Sequence, residues 1–581
     1  MKKQIFIILL AIFLFLSGFI ANASYENVDT IQKTIKNIQP ILIDEGQYFR
    51  IDLSVTSYST NKPGEPMLPV INQVFILPFG AKISSVEVSY SDFKKIKLTR
   101  EIKPVTEPNM LDTLVKNEET VKNPDIYSSI DLYPPNDFVY NVGGGLHDLE
   151  HVFFLSVQCY PVKYSPQENI LYYSEEINIK ITYKDSSNSF FTNDEYDLVI
   201  ISSSKFSNNL LPLIDHKNSF GVRTLYMTTQ EIYDTYPGRD KPEMIKYFIM
   251  DAIENWNANY LLLVGDVETL PIRYTKVDMF GIGSLPTDLY YADIFDENGS
   301  FCSWDSNNND VFGEYDRHGN NIDDMDLYAD INVGRIPCAY NFDLKTVVGK
   351  IINYETKTYG QDWFNKAILI GGDTFPGDTI YEGELVLDEV SEQIPEFEHI
   401  KLFTSKGNYN PMNINKEISN GAGFVSYSGH GYSYGFGTSP PNEEKRIEYF
   451  TPYSFGMRNN NKFPVIFFDA CCTATLDFNV AGIKLPCFAW YLIKKPVGGA
   501  IATIGATRVA FTMVNVHGAN GGAGYINVHF FKAYETGGTV SHMLVSAQND
   551  YLNNHPWTDF LTLEEFVLLG DPSLKIGGYS S

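Results

Sequence analysis

The sequence predicts two architectures in one chain, a β-rich N-terminal domain and then an α/β domain built on parallel strands. Three observations carry this. Up to about residue 190, short alternating runs such as INQVFILPF, ISSVEVSY, HVFFLSVQCY and INIKITYK are separated by Pro, Gly, Asn and Asp clusters, as half-buried strands are. From about residue 195, strand-length apolar runs alternate with helical ones, a βαβ rhythm that places helices on both faces of a parallel sheet. Two further apolar runs, GAGFVSYSGHGYSYGFG and PVIFFDACCTATLDF, break at small-residue turns, as buried strands do where they end at the edge of a sheet.

At 581 residues the chain exceeds one ordinary core, so two or three domains are expected. The start, MKKQIFIILLAIFLFLSGFIANAS, has a basic tip, an apolar core and the small pattern Ala21-Asn22-Ala23, which predicts a signal peptide over residues 1–23 and a secreted protein. Its removal takes Lys2 and Lys3 and moves the net charge from −27 to −29. That acidity excludes nucleic acid as a partner. No later run is long enough to span a membrane, and the ending LGDPSLKI leads us to expect soluble export without a C-terminal anchor. Six cysteines are too few for a disulfide framework in a chain of this size. Cys159, Cys302, Cys338 and Cys487 show no paired spacing of the kind zinc requires.

Residues 24–190 read as a sandwich or barrel, and the polar stretch KDSSNSFFTNDE at 184–195 as an exposed linker. The α/β part then runs strand YDLVIISS, helix NNLLPLIDHKNSFG ended by Gly221, strand VRTLYMTT, helix DKPEMIKYFIMDAIENW and strand NYLLLVGD. A less regular insertion at about 272–330 is dense in side-chain oxygens. Asp305-x-Asn307-x-Asn309 has the alternate spacing of a calcium loop, with Glu314 in reach, but Asp310 stands where an EF-hand needs Gly and Asp316 where it needs Glu. The expectation is a looser calcium site, or else a solvated acidic loop. The helix FDLKTVVGKIINYETKT closes a first subdomain, residues 191–358, and NKAILIGGD opens a second, residues 359–581.

His430 and Cys471 each follow one of the two interrupted strands. If those strands are parallel neighbours, their carboxyl-end loops lie together, where open α/β sheets place their ligands. Residues 432–463 are long enough for the crossover that parallel strands require. A thiol attacks as its thiolate, and a neighbouring His favours that form and supplies a proton to a leaving amine. The chemistry suggested is acyl transfer through a thioester, with no organic cofactor required.

His430-Gly431 and Ala470-Cys471 together resemble the gingipain family of cysteine peptidases, within the caspase-like folds. YDLVIISSSKF, LLLVGDVETLPIRY, ADINVGRIPC, LPCFAWYLI and LGDPSLKI also fall in that family's order, so the resemblance covers about residues 195–578. GEPMLPVINQVFILPFGAKI at 64–83 resembles the start of a gingipain-type pro-domain. The resemblance implies an α/β catalytic domain of two parallel-sheet subdomains behind an all-β pro-domain that assists folding and blocks the cleft. It implies Cys471 rather than Cys472 as nucleophile, His430 as base, Asp373 as the residue orienting the His, and the backbone N–H groups of Gly431 and Cys471 as the oxyanion hole.

Specificity departs from that pattern. Arginine-specific gingipains carry an acid two residues beyond Asn-Gly-Glu; here the comparable stretch is Glu382-Gly383-Glu384, and Val386 stands at the pocket position. Val386, with Phe511 and Val509 from GATRVAF, predicts an apolar lining, while Asp388 offers a cation an alternative attraction. His517 and His529 have no ligand partners in the sequence and read as structural. The expected function is a secreted cysteine endopeptidase made as a zymogen, acting on proteins or peptides and held by its own pro-domain. A non-catalytic surface or adhesion protein on the same fold, or a transpeptidase using the same dyad, are the competing readings.

Overall fold

The computed structural model describes residues 28–114, 116, 121–185, 195–277, 282–315, 321–323, 325–515, 518–555 and 560–580. The signal segment, most of the linker, Asp316 and His517 lie outside the described residues.

The paired strands of the N-terminal domain are antiparallel, with one isolated parallel bridge between Phe49 and Ile102. One sheet pairs Val28–Lys36 and Lys82–Tyr90 with Glu176–Lys184, a second orders Tyr58–Ser59, Pro69–Pro78, Glu150–Cys159 and Phe138–His147, and a third joins Val162–Ser165, Ile170–Tyr173 and Lys94–Lys97. Alternation is visible where one face is wet, as in Glu176–Lys184, whose Ile177, Ile179 and Ile181 are buried.

The α/β domain is organised on a sheet of ten strands among the described residues. In chain order these are β1 (Leu198–Ser202), β2 (Thr224–Thr228), β3 (Tyr260–Val264), β4 (Asn332–Ile336), β5 (Lys366–Gly371), β6 (Glu398–Phe403), β7 (Phe424–Ser428), β8 (Val465–Asp469), β9 (Ala502–Ala506) and β10 (Phe566–Leu569). Their spatial order is β2-β1-β3-β4-β10-β9-β8-β7-β5-β6. All neighbours are parallel except β9 and β10, where two parallel halves meet in opposite directions. β1 to β4 form one half and β5 to β9 the other, and the last strand, β10, returns to pair with β4 of the first half. β1, β3, β7, β8 and β9 are buried at every position, as parallel strands covered on both faces are.

The helices follow local signals. Asp240 caps Lys241–Trp256 by accepting from Glu243 N, Pro242 sits in its first turn, and Asn257 ends it in the left-handed region at φ 56°. Ser207–Ser219 ends at Phe220 with Gly221 at φ +82°. Buried polar groups tie the ends of the chain to this core: Lys217 bridges Glu355 and Asp571, each contact 2.8 Å and all three side chains fully buried. Among the described residues, no helix is long and apolar enough to cross a membrane.

Candidate active site

β7 and β8 are adjacent and parallel, with Ser428 opposite Asp469, so His430 and Cys471 both stand two residues beyond the same rung. The crossover between them carries no α-helix. It folds as a small antiparallel sheet of His430–Tyr432, Gly435–Thr438 and Ile447–Phe450, followed by a 3-10 turn at Thr451–Gly456. Gly431 lies against Cys471: a Cβ there would overlap Cys471 O, reach Ala470 Cβ at 2.7 Å and stand 3.0 Å from Cys471 N. Only glycine permits that approach. The backbone groups named as oxyanion donors, Gly431 and Cys471, are thus side by side.

His430 is fully buried, and both ring nitrogens lie at hydrogen-bond distance from main-chain carbonyls, Nδ1 2.7 Å from Leu111 O and Nε2 2.8 Å from Thr374 O, of which a neutral ring, with its single N–H, donates to one. Burial lowers its pKa to about 4, Arg446 adding to the effect, so the ring is neutral. Phe375 meets it edge-on at 6.0 Å. The expected orienting residue, Asp373, does not bond to the ring. Its Oδ2 accepts from Asn442 N at 2.7 Å, its backbone pairs with Ser439, and the next residue, Thr374, holds the imidazole through its carbonyl. Burial raises the Asp373 carboxyl to about 6, with Glu382 and Asp378 adding to the rise.

Cys471 is also fully buried, its Sγ donating to Ala510 O at 3.6 Å and accepting from Ala510 N at 3.2 Å. Burial holds the thiol well above its ordinary value, so it is protonated. Cys472 takes the left-handed region at φ 57°, donates from N to Arg508 O at 2.7 Å and is partly exposed. The strand has ended at Asp469, so simple alternation does not place these two thiols.

What covers the dyad comes from the N-terminal domain. Asn109–Met110 pairs antiparallel with the strand Phe511–Asn515, Met110 opposite Phe511, and Leu111 N donates to Ala510 O at 2.9 Å. A few residues on, Lys116 Nζ reaches Asp378 at 2.6 Å and Glu382 at 2.7 Å. Glu382 is buried, and its other oxygen accepts from Phe375 N at 3.2 Å. An acidic pocket filled by a lysine therefore adjoins the histidine.

The predicted pocket residues separate. Phe511 lies on the cleft strand. Val386 is buried in the helix Glu382–Gln393, facing the region of Gly524, and Asp388 is on the surface paired with Lys401 at 2.7 Å. One helical turn before Val386, Glu382 faces Lys116, a phase that the Glu-Gly-Glu stretch alone did not reveal.

The four candidate calcium ligands are close in space but bonded otherwise. Asp305 pairs with Arg239 and accepts from Asn309 N and Asp310 N at 2.9 and 3.0 Å, while Asn307 and Asn309 donate their amides to Glu314. A guanidinium already neutralises the central carboxylate, so the set does not fit a cation. Among the described residues, no group of three or more His, Cys, Asp or Glu side chains is arranged to hold a metal ion. His529 pairs with Asp550 at 2.7 Å.

A buried Cys and His thus follow adjacent parallel strands, with a segment of the β-rich N-terminal domain packed over them. The chain belongs to peptidase family C25, which it matches over residues 191–577, and it matches the C25 propeptide over residues 24–208. Gingipain R1 of Porphyromonas gingivalis is 23% identical over 498 residues, covering 77% of this chain and 43% of that protein. An uncharacterized protein of Archaeoglobus fulgidus is 22% identical over 345 residues, covering 53% of this chain and 75% of its own length. The chain thus spans less than half the length of that gingipain R1. Among solved structures, the Arg-specific cysteine proteinase gingipain R aligns at 20% identity and a TM-score of 0.49, covering 67% of this chain and 80% of its own.

Proposed function

We propose that the chain is a secreted cysteine endopeptidase, latent while its N-terminal domain is docked. The observation that carries this is the course of the pro-segment, which pairs as a strand beside the dyad and sets Leu111 O against His430 Nδ1. A substrate chain taking its place would present its scissile carbonyl to Cys471. The thiol passes its proton to His430, and the thiolate then attacks that carbon while the backbone N–H groups of Gly431 and Cys471 stabilise the oxyanion. Collapse forms the thioester and breaks the C–N bond as His430 returns the proton to the leaving amine. Water, deprotonated by His430, then releases the acid and regenerates the thiol. Thr374 O orients the ring throughout. No step draws on a metal or an organic cofactor.

In the latent state burial opposes the first proton transfer, since it holds the thiol protonated and the imidazole neutral under the pro-segment. Removing the pro-domain admits water and permits the reactive thiolate. Asp378 and Glu382 favour a basic side chain in the adjoining pocket, in place of the apolar preference expected from Val386. Export follows from the signal-peptide pattern of residues 1–23.

The test is cleavage of a mixed peptide library by the protein lacking residues 1–23, cut in the linker near 190, beside its Cys471→Ala and Cys472→Ala forms. Loss of cleavage in Cys471→Ala alone, with Lys or Arg before the cut, is expected. No cleavage by any form would favour a binding protein, and new amide bonds in the products a transpeptidase.

A further inference from the structure

One buried acid beneath the dyad has no part in the mechanism above. Asp469 ends β8 two residues before Cys471, and its partner across the ladder, Ser428, ends β7 two residues before His430. Both sit at the last rung the two strands share. Ser428 Oγ donates to Asp469 Oδ2 at 2.6 Å, and Gly429 N donates to Asp469 O at 3.1 Å. The carboxyl is 1% exposed. Behind it, in the helix Gly522–Lys532, the Asn527 side chain accepts from Ser426 Oγ at 2.9 Å and presents its amide towards Asp469. A side chain of Ala, Val or Ile would fill such a place at less cost, because a buried carboxyl needs partners to be tolerated there.

We propose that Asp469 is a positioning residue for the dyad, holding Ser428 so that the loops bearing His430 and Cys471 leave the sheet at the same level. The need for such a clamp is geometric. Cys471 and His430 lie past the ends of their strands, where no further ladder bond fixes their separation, and a misplacement of about 1 Å costs on the order of 10²-fold in rate. Tyr427 adds a second restraint on the His loop, its hydroxyl donating to His430 O at 2.9 Å and Gly437 O at 2.7 Å. Between the two strand ends the Ser428–Asp469 side-chain bond adds to the main-chain bond from Gly429 N to Asp469 O. The carboxyl also titrates within the working range, burial raising its pKa to about 7 while Ser428 and Asn527 oppose the rise.

This inference rests on the proposed peptidase reading, and its test separates the two. Asp469→Asn, Asp469→Ala and Ser428→Ala are compared with wild type after the linker is cut, following peptide cleavage and, separately, alkylation of Cys471 by iodoacetamide read by mass spectrometry. Asp469→Ala is expected to lower kcat roughly 10²-fold with KM unchanged and to slow alkylation in parallel. Asp469→Asn, which keeps an acceptor for Ser428, recovers most of the rate and loses an ionisation near 7 from the kcat profile. Thermal melting at pH 8 excludes misfolding, because Asp469→Asn removes a carboxylate whose ionisation opposes folding there and should not lower Tm. Rates and alkylation within threefold of wild type in all three variants would overturn the proposal. If wild type cleaves nothing, the peptidase reading fails, and the alkylation rates still decide the role of Asp469.

Discussion

The carbonyl oxygen of Leu111 lies 2.7 Å from His430 Nδ1, across 319 residues of sequence. One main-chain atom of the N-terminal domain thus occupies the ring nitrogen that proton transfer at Cys471 would use. The Leu111 side chain is itself buried, so the contact is backed by apolar packing. Truncating a buried Leu costs about 2–5 kcal/mol. In the uncut chain, Leu111→Ala should therefore weaken docking by roughly 30-fold or more and raise basal peptidase activity, measured as initial rate against the wild-type zymogen.

The lysine pocket gives a second prediction. Lys116 pairs with Asp378 and Glu382, and the side chain of Glu382 is only 2% exposed. Removing the cation leaves a buried acid without its partner, a loss that is larger than for a surface pair and smaller than for a fully buried one, about 1–3 kcal/mol given the part-exposed Lys116 and Asp378. Lys116→Met should speed release of the cut pro-domain. Glu382→Gln in the released enzyme should lower kcat/KM for substrates with Lys before the cut relative to those with Met, and leave the Met substrates little changed.

Docking should also depend on pH. His151 of the pro-domain packs edge-on to Phe295, His555 of the catalytic domain edge-on to Tyr58, and His430 bonds Leu111 O. Burial lowers each of the three to about 4. The groups facing them are mostly rings and carbonyls, with Asp550 and His529 near His555 and Arg446 near His430. A His whose pKa falls on docking holds fewer protons in the docked state, so docking is strongest above the free value near 6.5 and weakens as pH falls from there towards 4. Pro-domain release from the cut protein, followed by gel filtration between pH 7.5 and 5, should increase with acidity, and replacing His151 by Phe should flatten the dependence.

The buried Lys217, Glu355 and Asp571 set a stability prediction far from the dyad. Lys217→Met strands two carboxylates in the core, and breaking such a cluster costs about 3–5 kcal/mol. Tm should fall clearly while the folded enzyme keeps its kcat, a split that calorimetry and peptide kinetics at low temperature would reveal.

The residues of this site were unequally legible in the sequence. His430 and Cys471 could be found because an apolar strand broken by glycine or alanine is a local pattern, whereas the pairing of their strands follows from a crossover without an α-helix and stood in the sequence only as a condition. The helices Ser207–Ser219 and Lys241–Trp256 were likewise fixed by local caps and periodicity. Thr374 could not be found, because it acts through a carbonyl that leaves no side-chain signature; the acid one residue earlier, Asp373, drew the attention. Val386 reads as a pocket residue because a motif counts residues, while a helix turns 100° at each and directs this side chain towards Gly524. The acidic loop looked like a cation site because its neutralising partner, Arg239, is 66 residues away from Asp305. The antiparallel return of β10 was equally hidden, since a run such as FVLL carries no direction.

The most direct measurement is covalent labelling. A peptidyl chloromethyl ketone ending in Lys, added to the linker-cut protein, should modify Cys471 alone, as located by mass spectrometry, and do so far faster than in the uncut chain. Labelling of Cys472 instead, or equal labelling of cut and uncut protein, would contradict a latent Cys471–His430 peptidase sealed by its own pro-segment.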